Sequence, residues 1–543
     1  FFLVPIILSA QTDTLETTLK DVVIIATKTE TPYYAIASSI SVISSEEIKQ
    51  KQYFSVVDLL KEIPGVAITQ QGSYGKLSNI FMRGTNSNHT LVLIDGVEMN
   101  DASSPNNAYD FSSLTTSDIE RIEIVRGPQS TLYGSEAMAG VVNIVLKETL
   151  SEQNYNISTT GGTNNFYNLN FNTSGMFGPI DYFISAMKSG SDGISTSSAE
   201  YGNKERDGFI NQGITSRIGF EIPSIGKLKL TYKYVNLNSE LDQDGINGDD
   251  INFKFKTEEQ MFNSNLYANS FDGKWEKIVN ISYVKKYTHT TDEIDVIHPF
   301  NYMNSYSNFS RFKFDWQNNF RIFNNNLITL GFETETEKAY LDFSSETDWG
   351  KFESNFPKSS SKNFGVYLQD QINLFNSIFA SIGFRFDKHE KYGGITTFRI
   401  APAYFFSETN SKLKFTYGTG FKSPSLFYLF DPMFGNPELK PEKSTGWDIG
   451  IEQVFLNGKI QIDLTYFDLK LDNMFGYDAF FKTINIAKAS SKGIEMSTKY
   501  KADNNLSLKL NYTFNETKDE YEGSSDFVKQ LIRRPKHNAN IIV

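Results

Sequence analysis

The chain has 543 residues, with 45 Phe and 28 Tyr but 4 Trp, no cysteine, and a formal net charge of −12. Without thiols there is no disulfide scaffold, no thiolate metal site and no cysteine nucleophile. The acidic balance argues against a general nucleic-acid binder, and the aromatic and β-branched content argues against disorder. What is left is an aromatic-rich chain that is polar on average, with a mean hydropathy of −0.36.

Phe1 to Leu8 is apolar and Ala10 is a small residue before polar Gln11, so residues 1–10 read as the remnant of a secretory signal peptide. The polar tail that follows, 11–30, holds the β-prone stretch Asp21, Val22, Val23, Ile24, Ile25 and Ala26. Taken alone, that stretch is an ordinary edge strand. No later run approaches the ~18 apolar residues of a spanning helix, so any membrane crossing must be made by strands closed into a barrel.

Residues 31–149 alternate helix and strand signals. Ser45-Glu46-Glu47-Ile48 opens one helical pattern, and Ser55-Val56-Val57-Asp58-Leu59-Leu60 opens another that Pro64-Gly65 stops. Thr90 to Ile94, Ile119 to Val125 and Gly140 to Val145 read as strands, with Asp95-Gly96 as a turn. This is a small α+β domain.

From 150 to 543 the helical signal nearly vanishes. Asn505 to Phe514 alternates polar and apolar, as do Leu228/Leu230/Tyr232/Tyr234, Leu413/Phe415/Tyr417 and Ile460/Ile462/Leu464/Tyr466. Short turns (Phe177-Gly178-Pro179, Glu221 to Gly226, Asn457-Gly458) alternate with long polar loops (Ser191 to Arg206, Leu237 to Thr257). That grammar predicts a transmembrane antiparallel β-barrel with strands of roughly ten residues, apolar towards lipid and polar towards the lumen.

The motifs that follow run in one order along almost the whole chain. They are Asp58 to Val66, Phe81-Met82-Arg83-Gly84-Thr85, Leu93-Ile94-Asp95-Gly96-Val97, Val125-Arg126-Gly127-Pro128-Gln129-Ser130 and Tyr133 to Ile144, then Gly435 to Ser444 and Lys492-Gly493-Ile494-Glu495. In these stretches the chain resembles the TonB-dependent outer-membrane receptors. Within that family Ile68 to Asn86, Asp207-Gly208-Phe209 and Phe421-Lys422-Ser423-Pro424 are most similar to the cobalamin receptors. The resemblance implies a 22-stranded barrel in the bacterial outer membrane, in contact with lipid, with residues 31–149 as a plug in its lumen. It also implies that the last strands lie beyond Val543, because the pattern Arg533 to Val543 opens a strand in that family.

The resemblance makes residues 21–26 a TonB box, an extended peptide that adds a strand to the energy-coupling partner TonB. It pairs plug residues Arg83 and Arg126 with Glu442 and Glu495 of the barrel wall as a latch, where the ordinary reading is four unrelated surface charges. A lumenal Arg needs a carboxylate, and bidentate geometry fixes its orientation. Two Gly/Ser/Asn-rich plug loops, with Gln71, Ser73, Tyr74 and with Ser103, Asn106, Tyr109, are the expected substrate contacts. As plain sequence they are connectors. The loop bearing Asp242, Asp244, Asn247, Asp249 and Asp250, with Asp207, resembles calcium-binding outer loops. Its spacing fails the EF-hand template, and a solvated acidic loop is the alternative.

No cofactor is required. The five His residues show no HExxH spacing and there is no GxSxG elbow, so no enzyme is expected. The expected function is TonB-driven uptake of a scarce nutrient, cobalamin or alternatively a ferric siderophore, by a monomer. A passive porin or adhesin barrel is the rival from another class, and a secreted hydrolase a remote third.

Overall fold

The computed structural model describes residues 23–24, 27–29, 31–149, 152–243, 248–323, 325–348, 350–503, 505–522 and 529–543. The signal-peptide remnant, Asp21, Val22, Ile25 and Ala26 of the expected TonB box, and Asp244 and Asn247 of the acidic loop lie outside the described residues.

Residues 31–149 form a domain around a five-stranded mixed sheet. Its order is Ser39–Ile43, Ile119–Arg126, Gly140–Leu146, Thr90–Ile94, Val97–Glu98. Gly140–Leu146 sits in the middle, parallel to Thr90–Ile94 and antiparallel to Ile119–Arg126, and every one of its residues is buried. Its near-continuous apolar sequence is what a strand covered on both faces needs. Asp95 and Gly96 close the hairpin with φ of 50° and 77°, the positive pair that a two-residue hairpin turn demands. Helix Ser45–Lys51 starts where the Ser44 side chain accepts from the Glu47 amide, and Val56–Leu60 starts where Ser55 accepts from Val57. A separate hairpin, Val66–Gln70 with Ser78–Met82, points one end of the domain outward.

Around this domain runs one eighteen-stranded antiparallel sheet, from Asn154–Gly161 to His537–Ile542, each strand pairing with the next in sequence. Eighteen strands stand among the described residues, and the resemblance implies a barrel of the 22-stranded type whose last strands lie beyond Val543. Among the described residues the first and last strands each pair on one side only. Strand Ile378–His389 shows how sequence becomes wall. Phe384 and Phe386 are 56% and 45% exposed on the outer face, while Arg385 and Asp387, which alternate with them, are buried against the lumen. Alternation with period two does this wherever one face meets lipid and the other a polar interior.

Between the short first and last strands, of 8 and 6 residues, the strands are longer than the expected ten. Tyr167–Phe177 has 11 and Gly350–Leu374 has 25, because the ladders continue beyond the membrane. The expected loop from Leu237 to Thr257 is shorter for the same reason, since strands reach Glu240 and restart at Lys254. Among the described residues no helix is long and apolar enough to cross a membrane.

The main hydrophobic core belongs to the inner domain. It gathers Val56, Leu59, Leu60, Ile94, Ile122, Ile124, Val142 and Ile144, while Met261 and Val284 are its contributions from the barrel. The seam between domain and wall combines buried ion pairs and hydrogen bonds with small apolar patches, such as Met138 with Leu469 and Leu471 and Ala37 with Phe379 and Ala401.

Candidate functional site

Arg83 ends the outward hairpin at φ 48°, followed by Gly84 at 70°, and this left-handed step turns the guanidinium towards the wall. It is 2% exposed. Its Nε donates to Glu495 Oε1 at 2.8 Å and its Nη2 to Glu495 Oε2 at 3.0 Å, a bidentate pair. Nη1 donates to Asp448 Oδ1 at 2.6 Å, and the guanidinium lies 4.5 Å from the centre of the Phe467 ring. Arg126 brings its Nε to 3.0 Å from Glu495 Oε2, while its Nη1 donates to Ser41. Two plug cations thus share Glu495.

Glu442 is not part of this group. It accepts from the Phe475 amide at 2.7 Å and pairs with His89 Nε2 at 2.8 Å. The second wall carboxylate is Asp448, six residues further along strand Glu442–Phe455 and so about 20 Å away at ~3.3 Å per residue. Both point into the lumen, because six is an even step. Inward parity along that strand was the signal for Asp448.

At the end of the barrel that carries the short turns, residues 27–29 and 31 are clasped to the wall. Lys28 Nζ lies 2.7 Å from Asp315 and 3.5 Å from Glu333, and 4.2 Å from the centre of the Tyr367 ring. Gln317 donates to the Lys28 carbonyl, and Gln371 both donates to Thr29 and accepts from Thr31. The backbone at Val23 and Ile24 pairs antiparallel with Pro32 and Thr31. Lys28 was missed in the sequence, since nothing local distinguishes it from any exposed lysine.

The opposite end holds the hairpin tip. Gln71 is exposed, and Ser73 and Tyr74 are half-buried. Tyr74 donates to Asp58 at 3.0 Å and packs edge-on to Phe54, with Phe166 of the barrel nearby. Burial and the Asp58 carboxylate push its phenol up to about 12. Lys76 is buried, donating to Ser239 at 2.8 Å and to the Glu240 carbonyl, and burial pulls its amine down to about 8. It pins the tip to the outer end of strand Gly226–Glu240.

In the second plug loop Asn106 is exposed, but Ser103 is buried and donates to Asp101. Tyr109 is also a correction. It is 2% exposed, edge-on to Phe111, and donates to Glu259 at 3.4 Å, so it belongs to the core and offers no surface to a ligand.

The outer loops 192–208 and 241–253 bring acids together. Glu205, Asp242 and Asp249 each place a carboxylate oxygen within 4.8 Å of the others. Asp207 is buried beside Asp242, accepting from the Thr196 amide at 2.5 Å. Asp242 accepts from Ser195 and Ser197, and Asp249 from the amides of Lys204 and Glu205. Burial, reinforced by neighbouring carboxylates, raises Glu205 to about 7 and Asp207 to about 6. Glu205 escaped the sequence reading although Asp207 of the same loop did not, because only the folded loops bring it against Asp242 and Asp249.

Known proteins give this geometry a context. Residues 33–141 match the model of the TonB-dependent receptor plug domain, and residues 181–542 that of the TonB-dependent receptor-like β-barrel. A curated relative, the vitamin B12 transporter BtuB of Photobacterium profundum, is 28% identical over 99% of this chain and 84% of its own length. Among solved structures, the siderophore receptor PiuA of Acinetobacter baumannii superposes with a TM-score of 0.77 at 15% identity, covering 94% of this chain and 85% of that one. The ferric yersiniabactin uptake receptor FyuA of Yersinia pestis does so at 0.75 and 15%, covering 93% and 83%. With its plug inside an antiparallel wall and both family models matched in order, the chain belongs to the TonB-dependent receptors, transport proteins of the outer membrane.

Proposed function

We propose that this receptor takes up a corrinoid, cobalamin, from outside the cell. The observation that carries the ligand is the 28% identity to the vitamin B12 transporter along 99% of the chain. The siderophore receptors it superposes on are 14–18% identical and share the fold alone. The ligand would settle on the exposed hairpin tip, with Gln71, Ser73 and Tyr74, and on Asn106 of the second loop. Tyr74 offers a flat amphipathic face suited to a large ring system.

The acids of the outer loops fit calcium. They form an all-oxygen set with Glu205, Asp207, Asp242 and Asp249, and no donor reaches Oδ1 of buried Asp207 among the described residues. A hard cation of six to eight oxygen ligands suits such a set. Bound there, Ca²⁺ would neutralise the crowded carboxylates and hold loops 192–208 and 241–253 together over the mouth.

Concentrating a scarce nutrient a thousandfold costs about 4 kcal/mol, at ~1.4 per tenfold. A plugged barrel has no source for that work, so it has to come through the 21–26 segment. Ligand at the outer tip would favour release of the Lys28 clasp, freeing the segment to add as a strand to TonB.

The test is direct binding of cobalamin and of a panel of ferric siderophores to the full-length protein, with uptake by cells expressing it. Cobalamin should bind and be taken up, and deleting residues 11–27 should stop uptake while leaving binding intact. Binding of a siderophore alone would overturn the ligand, and uptake that survives the deletion would mean a passive pore.

A further inference from the structure

A second cluster of ligating groups lies beside the acidic loops and differs from them in kind. Loop 293–301 carries Asp295 and His298, loop 241–253 carries Asp250, and Asp292 ends the strand between. His298 Nδ1 is 3.3 Å from Asp250 Oδ2 and 3.5 Å from Asp295 Oδ2, and the three ligating atoms lie within 4.8 Å of one another. Asp250, Asp292 and His298 are 1%, 2% and 8% exposed.

Asp295 is already aimed. Its Oδ1 accepts from the amides of Ile297 and His298, both at 2.6 Å, which turns Oδ2 towards the imidazole. Asn252 donates to the same Oδ2 at 3.3 Å and to the Glu293 carbonyl, tying the two loops together. Asp292 is the independent sign of a ligand. Its Oδ2 accepts from Gln243, but no donor among the described residues reaches its buried Oδ1, and its carboxyl lies within hydrogen-bonding reach of that of Asp250. Two buried carboxyl groups in contact hold either a shared proton or a cation.

We propose that Asp250, Asp295 and His298, with Asp292 beside them, form a binding site for a divalent transition metal of the zinc class. In a tetrahedral site with metal–N and metal–O bonds of about 2.0–2.2 Å, neighbouring ligand atoms stand about 3.3–3.5 Å apart. That is the spacing His298 keeps to both carboxylates. An imidazole with few carboxylates selects zinc, nickel or cobalt, whereas calcium asks for six or more oxygens and no nitrogen. A metal here would staple loop 293–301 to loop 241–253, fixing the outer loops independently of which nutrient is carried. The two clusters adjoin, since the Asp250 amide donates to Asp242 at 3.2 Å.

The experiment uses the full-length protein in detergent, without a polyhistidine tag and stripped with chelator, titrated with Co²⁺. One equivalent should give the intense visible bands of a four-coordinate Co²⁺ centre. Zn²⁺ should bleach them, and a hundredfold excess of Ca²⁺ should not. Loss of an outer-shell partner typically weakens a metal site 10–100-fold, so H298A and D250N should weaken Co²⁺ binding by more than ~100-fold. H289A, on the outward face of its strand, should leave the bands unchanged. Absence of the bands in the wild-type protein overturns the site, as does displacement by Ca²⁺. So do bands that persist in H298A when heat-dependent gel mobility shows its barrel intact.

Discussion

The pair between Arg83 and Glu495 is a buried, bidentate contact between plug and wall, with Asp448 taking the remaining side of the guanidinium. Such a pair contributes little net stability when complete, because desolvation offsets the attraction, yet removing one partner strands a buried charge. R83A should therefore weaken the plug by ~3–5 kcal/mol in urea titrations followed on a plug probe, while E495Q should cost less, since it keeps shape and accepts hydrogen bonds. A loss in R83A with none in E495Q would mean that packing on Phe467, not charge, is what matters.

A second residue reports on pH. Glu136 is buried with Asn107 and Ser135 donating to it, and burial, aided by Glu98 and Glu337 against the opposing Lys422, raises it to about 7. Between its ordinary 4.5 and 7 the folded state holds a proton that the unfolded state releases, so stability from this group falls as pH rises through that window and is level above it. E136Q should make the plug more resistant to urea than wild type at pH 8, with the gap closing towards pH 4.5.

At the scale of elements, the turn after Val56–Leu60 shows why Pro64-Gly65 matters beyond stopping a helix. Gly65 has φ 75°, its amide donates to Thr513 of the wall, and its carbonyl accepts from the Arg83 amide at 2.6 Å. A Cβ there would stand 2.0 Å from Glu495 Oε1. G65A should thus disrupt the same contacts as R83A, and the double variant should be much less than additive in urea. The Lys28 clasp is a second such element. K28Q or D315N should loosen residues 27–29 and the strand pair of 23–24 with 31–32, read as a more mobile nitroxide at position 24, with the Arg83 contacts undisturbed.

These elements also mark how far the sequence could be read. The strands Thr90–Ile94 and Gly140–Leu146, the two capped helices and the period-two wall were legible, because each is set by neighbours along the chain. Asp448, Lys28 and Glu205 were not, because their partners lie hundreds of residues away or in another loop, and parity alone leaves several inward candidates per strand. Tyr109 was misjudged because a polar loop composition says nothing about which of its side chains turns inward.

Over the whole molecule, the main apolar core lies almost wholly in the plug, whereas the seam between plug and wall is mixed, with buried ion pairs such as Arg83 to Glu495 beside small apolar patches such as Met138 with Leu469 and Leu471. Water can replace the polar bonds of the seam one by one and the apolar patches there are small, whereas the core would have to open at once, so a pull at the inner end should shift the plug against the wall before it unfolds it. The wall itself is uneven. Strand length grows from 11 residues at Tyr167–Phe177 to 25 at Gly350–Leu374, then falls to 12 at Ile378–His389. Pairing between these last two begins only at Asn363 opposite His389, so residues 350–361 ladder on one side alone. Their inner face is covered, with Phe356 against Phe427 of the short helix Leu426–Phe430. The free edge carries Lys351, Pro357 and Lys358, with a bulge opposite between Ala339 and Leu341, devices that deny a stray strand a place to join. This hairpin is a parapet on one side of the mouth. The rim is therefore lower along Ile378–His389 than along Gly350–Leu374, which leaves that side as the more open approach to the mouth.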